Sequence, residues 1–162
     1  MKRKLSIRWL AAVAVMVATA GWTSPQPPRS SAPKPRPRLE AVAETKLLME
    51  GLMQPNFRGL ERNLKQAPAD DSGWIFARGQ ALLIAETGNL LMMRPPRSGG
   101  QDAWNDLAAD LRDRGTRLAR AAAAKDLERS RAALLELATA CNRCHQTFGQ
   151  TTRITPFSEP PP

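Results

Sequence analysis

The spacing of apolar residues predicts that this 162-residue chain folds into helices. Between residues 39 and 148, apolar side chains recur at intervals of three and four, the period of an amphipathic helix. Breaks in the pattern separate four segments: residues 39–65, 73–94, 102–125 and 126–148. Asp70-Asp71-Ser72 supplies N-cap oxygens for the second segment, and Pro95-Pro96 ends it. Because short connections favour antiparallel neighbours, we predict an all-α, up-down-up-down four-helix bundle, with Pro55 kinking or splitting the first helix.

The two ends of the chain differ from this domain in composition. Four basic residues precede the apolar stretch 9–20, and this stretch ends in Ala18-Thr19-Ala20. The pattern is typical of a cleaved signal peptide and predicts one over residues 1–20. The 12-residue apolar run is shorter than the ~20 residues of a membrane-spanning helix. We therefore expect export to the periplasm or cell envelope without stable membrane insertion, an uncleaved anchor being the alternative. Residues 21–38 form a proline-rich basic linker, the domain covers 39–148, and 149–162 is predicted to be a flexible tail.

The sequence Cys141-Asn142-Arg143-Cys144-His145 holds both cysteines and the only histidine of the chain. C-x-x-C-H is the attachment sequence for c-type haem, in which two thiols form thioethers and the adjacent imidazole binds the iron. We predict one covalent haem c, with thioethers at Cys141 and Cys144 and with His145 as the proximal ligand. Two other interpretations are a redox disulfide, although no βαβ pattern flanks the motif, and a zinc site, although a fourth Cys or His ligand is missing.

The position of this motif predicts where the haem lies. Cys141, Cys144, His145 and Phe148 are spaced to share one helical face, and in the predicted topology the end of the last helix is level with residues 42–53, 85–93 and 103–108. The haem would then be part of the core near the C-terminal end of the last helix. Trp104 is a candidate for packing against it.

A sixth iron ligand from this chain must be a methionine or an amine, because no second histidine exists. Met49 is the first candidate, since about ten helical residues give a rise of ~15 Å and bring it level with the motif. Met53 is the second choice, and Met92, Met93 and Lys46 are more remote ones. An open distal site is the remaining alternative.

These residues carry a resemblance to the class II c-type cytochromes, the cytochrome c-prime group and its low-spin relatives. An export signal, four helices and C-x-x-C-H in the last helix resemble that family, and Met-Glu-Gly-Leu-Met-Gln-Pro at 49–55 is similar to members with a helix-one methionine before a proline. The resemblance implies thioether links at Cys141 and Cys144, proximal ligation by His145, and a distal residue in helix one. Thr45 departs from the family, which often has an arginine there relative to Met49.

Together these features predict one-electron transfer in the bacterial cell envelope, with redox partner proteins. The alternative is a high-spin cytochrome c-prime-type protein that binds NO or CO at an open distal site. We expect no enzymatic activity, because the chain shows no acid–base dyad, nucleophile–base pair or phosphate-binding loop. We expect no nucleic-acid binding, because basic residues are dispersed and tyrosine is absent. The sequence is compatible with a homodimer.

Overall fold

The computed structural model describes residues 37–97 and 99–157, and all regular structure in these ranges is helical. Helix α1 has three consecutive parts: Thr45–Leu48, a π-helical turn Met49–Met53, and Gln54–Asn63. It is followed by α2, Asp71–Met92; α3, Gln101–Ala123; and α4, Leu127–Thr147. Within the described ranges, the prediction of an all-α chain with four helices is confirmed. The predicted signal peptide and nearly all of the linker lie outside the described residues.

Hydrogen bonds between helix ends show that consecutive helices run antiparallel. Asn63, which ends α1, donates from Nδ2 to the carbonyl of Gly73 in the first turn of α2 (2.8 Å). After α2, the Arg94 side chain donates to the carbonyl of Ala43 just before α1 (2.8 Å). Lys125, after α3, contacts Asp71 at the start of α2 (2.6 Å). The ring contact between Trp104 at the start of α3 and Phe148 at the end of α4 adds the last helix. The ends of α2 and α4 and the starts of α1 and α3 therefore lie at one end of the bundle, as the sequence predicted.

The first helix begins later than its apolar pattern predicted. Residues 39–44 are not helical, and Val42, which was placed on the buried stripe, is 93% exposed. Glu44 has an extended backbone, and the carbonyl of the preceding Ala43 accepts from Arg94 instead of a helical N–H. The prediction of helix over 39–44 was therefore wrong, because a tertiary hydrogen bond competes with the helical one at this point.

Pro55 is accommodated by a change in helix type rather than by a break in the helix. It lies in the first turn of Gln54–Asn63, directly after the π-helical turn Met49–Met53. Proline has no N–H to donate to a carbonyl one turn earlier, and a wider turn relieves the clash of its ring with that carbonyl. The Asn56 side chain donates to the carbonyl of Leu52. The π-helical turn therefore interrupts the regular α-helical pattern where the sequence predicted a kink.

All four helices contribute to a single core. Its largest fully buried apolar side chains come from every helix and are Leu60, Leu64, Ile84, Leu118, Leu134 and Leu137. The closest packing is between α2 and α3, where two glycines let the backbones approach. A Cβ on Gly88 would lie 2.7 Å from the carbonyl oxygen of Ala108, and one on Gly115 would lie 2.9 Å from the amide nitrogen of Ala85. No helix among the described residues has the length and apolar character needed to cross a bilayer.

A glycine-to-alanine comparison tests this close approach. Gly88→Ala is expected to lower the free energy of unfolding by about 1–3 kcal/mol, because the new methyl group meets backbone atoms of α3 that cannot rotate away. Gly79→Ala in the same helix is the control, since its Cβ would enter open space and alanine favours a helix over glycine by about 0.5–1 kcal/mol. Urea denaturation of both variants checks this. Equal stabilisation by the two substitutions would contradict the observed α2–α3 packing.

Candidate functional site

The C-x-x-C-H residues occupy the last two turns of α4, where one helical face passes from the core to the surface. Cys141 is only 6% exposed and belongs to the apolar core, whereas Cys144 and His145 are half-buried. Both cysteines are free thiols. The spacing of three and four residues puts all three side chains on the same side of α4. Two thiols and an imidazole are therefore presented side by side along one stripe.

Burial controls the protonation of the two thiols. Loss of water around Cys141, with a smaller contribution from the neighbouring Cys144, raises its pKa to about 12. Burial also raises the pKa of Cys144, while the positive charge of Arg143 acts in the opposite direction. Both side chains are therefore protonated near neutral pH, and Cys141 is held in the less reactive environment.

Helix α4 ends in a turn that reverses the chain. Gly149 has a left-handed φ of +69°, its N–H donates to the carbonyl of Gln146 (3.3 Å), and the Gln150 N–H donates to the carbonyl of His145 (2.7 Å). This pair of bonds is the Schellman motif, for which glycine is the preferred residue in the left-handed position. The following residues consequently run back alongside α4.

The reversed chain contacts the imidazole of His145. Nδ1 of His145 lies 2.9 Å from the carbonyl oxygen of Thr152. A carbonyl oxygen can only accept, so Nδ1 carries the hydrogen of this bond, and in the neutral ring the lone pair is then on Nε2. A hydrogen bond of this kind sets the tautomer and orientation of metal-binding histidines. His145 is therefore arranged to offer Nε2 to a metal.

The two residues between the cysteines also have defined partners. Asn142 binds the backbone of Ile154 twice: its Nδ2 donates to the carbonyl (2.8 Å), and its Oδ1 accepts from the N–H (2.8 Å). Arg143 pairs with Asp110 of α3 (2.6 Å), which is also bound by Arg114 (2.9 Å). Sequence analysis missed the role of Asn142, because nothing in the sequence shows which backbone groups an amide will meet.

Residues beyond the predicted domain boundary at 148 take part in the fold. Ile154 and Phe157 are partly buried against the core, and the Phe157 N–H donates to Glu61 of α1. The Arg131 guanidinium lies 4.7 Å from the centroid of the Phe157 ring. The segment predicted to be a flexible tail thus makes specific contacts through residue 157, because the turn at Gly149 directs it back onto the bundle. Residues 158–162 of that prediction lie outside the described residues.

Trp104 lies at the same end of the bundle as the motif. Its Nε1 donates to the carbonyl of Leu91 (2.7 Å), and its ring meets Phe148 edge-on with centroids 5.0 Å apart. The half-buried indole thereby connects the ends of α2 and α4 with the start of α3. Its packing against a haem stays a prediction, and the contacts with Leu91 and Phe148 by themselves account for the position of the indole.

Met49 and Met53, the first two candidates for the distal ligand, lie in the π-helical turn of α1. Met53 is 5% exposed and belongs to the same apolar cluster as Cys141, and half-buried Met49 packs against that cluster. Met92 is likewise half-buried against the cluster, at the end of α2. Lys46 extends into solvent and lies 3.8 Å from Glu50. The assignment of Met49 as distal ligand stays a prediction, now located in an irregular turn of α1.

Partly buried apolar side chains lie at the same end of the bundle as the motif. Several apolar side chains that pack on the core without being fully covered come from α1, the end of α2, the start of α3 and the C-terminal segment: Met49, Leu52, Leu90, Met92, Trp104 and Ile154. A porphyrin face is of matching chemistry, and the thiols and Nε2 supply the bonds it would need. A separate cleft of about 310 Å³ beside His145 is lined by polar residues of 142–153 and suits water rather than a porphyrin.

Among residues 37–97 and 99–157, no three His, Cys, Asp or Glu side chains come together in a group that could hold a metal ion. Comparisons of the chain with protein-family models, with curated proteins and with solved structures found no match.

The unequal burial of the two thiols predicts unequal reactivity. In folded chain produced without any attached group, iodoacetamide is expected to modify Cys144 at least roughly tenfold faster than Cys141 at pH 8, because alkylation requires an accessible thiolate. Raising the pH towards 12 should reduce this difference, since the pKa of Cys141 is about 12. Peptide mass mapping over time measures both rates, and unfolding in urea is the control that should equalise them. Faster modification of Cys141 in the folded chain would contradict the observed burial.

Proposed function

We propose that this chain is an exported monohaem c-type cytochrome of the class II kind that carries out one-electron transfer. The observation that carries the proposal is the state of His145. Its Nδ1 is engaged by the Thr152 carbonyl, which leaves the Nε2 lone pair available on the same helical face as two free thiols. This combination is the ligand set of a covalently attached haem.

Each residue of the motif has a separate task in this proposal. Cys141 and Cys144 would hold the porphyrin through thioether bonds, and His145 would bind the iron through Nε2. When bound, the haem supplies the one-electron couple of its iron, while the protein sets ligation, burial and access. Trp104, whose indole is held by Leu91 and Phe148, lies at the same end of the bundle and would contribute an apolar surface that keeps water from the bound group.

The π-helical turn of α1 supports a distal ligand from that helix. Such turns are rare and occur frequently at functional sites, and here the turn begins at Met49 and ends at Met53. A wider turn changes the direction of side chains relative to a regular α-helix. We propose Met49 as the sixth ligand, because it is half-buried beside the apolar cluster that contains Cys141, whereas Met53 is already enclosed in the core.

Expression with a haem-attachment system in a bacterial periplasm tests the proposal directly. We expect the mass of the mature polypeptide plus one haem, and a pyridine haemochrome spectrum of the c type. The double variant Cys141→Ser/Cys144→Ser is the control and should lose covalent haem. Colourless wild-type protein with the mass of the bare polypeptide would refute the proposal.

Substitution of the two methionines tests the distal assignment. Met49→Leu is expected to change a low-spin spectrum to a high-spin one, with loss of the methionine–iron band at long wavelength, because leucine has no sulfur to donate. Met53→Leu is the matched control: it should keep that band and change stability by less than about 1.5 kcal/mol. Loss of the band in Met53→Leu alone would move the assignment to Met53. A wild-type protein that is high-spin and binds CO in the ferrous state would instead support the gas-binding alternative.

A further inference from the structure

The four helices do not close evenly around the core. Helices α1 and α2, α2 and α3, and α3 and α4 each pack side by side, whereas the backbones of α1 and α4 scarcely approach one another. The π-helical turn of α1 and the inner face of the C-x-x-C-H motif both belong to the helices that border this seam. One direct contact joins them: Arg131 of α4 donates to the carbonyl of Lys65, just after α1 (3.2 Å).

The C-terminal segment 150–157 adds a further bridge between the two helices. It is attached to α4 through Asn142, which holds both backbone groups of Ile154, and through the Arg131 guanidinium over the ring of Phe157. It is attached to α1 through the Phe157 N–H, which donates to Glu61. Phe157 has a left-handed φ of +60°, a conformation that a non-glycine residue adopts at a cost and that surrounding contacts must maintain.

We propose that residues 150–157 act as a strap that positions His145 as an iron ligand, with Asn142 as the residue that sets the register of the strap. This inference rests on the proposed function. The Thr152 carbonyl lies two residues before Ile154, so the double hydrogen bond from Asn142 fixes its place opposite Nδ1. The strap thereby selects the tautomer with a free Nε2, limits rotation of the ring, and makes the imidazole a stronger electron donor to the metal.

A stronger donor ligand favours oxidised iron, so loosening the strap should make the reduction potential more positive. Asn142→Ala removes both hydrogen bonds to Ile154. Removal of residues 151–162 deletes the strap and leaves the attachment motif unchanged. In both variants we expect a larger share of reduced protein at a given applied potential. The ratio of reduced to oxidised protein should rise by up to roughly tenfold, which corresponds to a reduction potential more positive by about 59 mV for one electron. Both should also speed the exchange of the His145 Nδ1 proton with D2O at least roughly tenfold, because the bond opens more often.

The measurements are potentiometry and NMR on protein with covalent haem, and far-UV circular dichroism verifies that each variant remains helical. Asn105→Ala is the matched control, since Asn105 is exposed and lies on α3, outside both the motif and the strap. It should leave both the potential and the proton exchange unchanged.

The possible failures can be told apart. In one outcome, wild-type protein carries haem, but Asn142→Ala and the shortened chain have the same reduction potential and Nδ1 exchange rate as the wild type and the control. That outcome would overturn the role of the strap while the proposed function stands. Wild-type protein without covalent haem would overturn the proposed function and with it the role of the strap. A shift in the shortened chain but not in Asn142→Ala would show that the strap acts without Asn142 and would refute the register-setting role.

Discussion

The close approach of α2 and α3 is the constraint on which the arrangement of the other helices depends. Gly88 and Gly115 allow the two backbones to come nearer than any side chain would permit. With this pair as the centre, α1 packs on α2 and α4 packs on α3, so that the first and last helices are left as the outer members. The seam between them is a consequence of that order. It is also the region bordered by the C-x-x-C-H motif and the π-helical turn.

Two irregular features adapt the chain to this seam. On one side, Pro55 follows a π-helical turn that contains Met49 and Met53. On the other, Gly149 ends α4 in a left-handed conformation and sends the chain back towards the motif. Regular helices alone would leave the backbone around His145 without a hydrogen-bond acceptor for Nδ1. The reversal at Gly149 brings the carbonyl of Thr152 to Nδ1 as that acceptor. The turn at this one glycine therefore determines the hydrogen bonding of His145 in the last turn of α4.

The proposed cytochrome function rests on how these parts combine. Cys141 precedes His145 by four residues and Cys144 by one, and the sequence alone fixes this spacing. Whether these groups can hold a haem depends also on their burial and on a free Nε2. Cys141 reaches into the core, Cys144 and His145 lie at its border, and apolar side chains from three helices and the C-terminal segment face the same end. The proposed strap would connect ligand orientation to the integrity of the seam, so that α1 and α4 influence the iron together.

The sequence by itself determined the helical class, the antiparallel order and the grouping of Cys141, Cys144 and His145, because these follow from local spacing along the chain. The N-cap at Asp70 and the stop at Pro95-Pro96 are equally local, and the helix boundaries there match within two residues. Only the tertiary structure decided that the helix starts at Thr45, that Asn142 holds Ile154, and that Thr152 orients His145. Each of these features depends on hydrogen bonds between groups that are distant in sequence or lie beyond the end of a helix. Hydrophobic periodicity shows which face of a helix is buried, but it does not show which polar groups form such bonds.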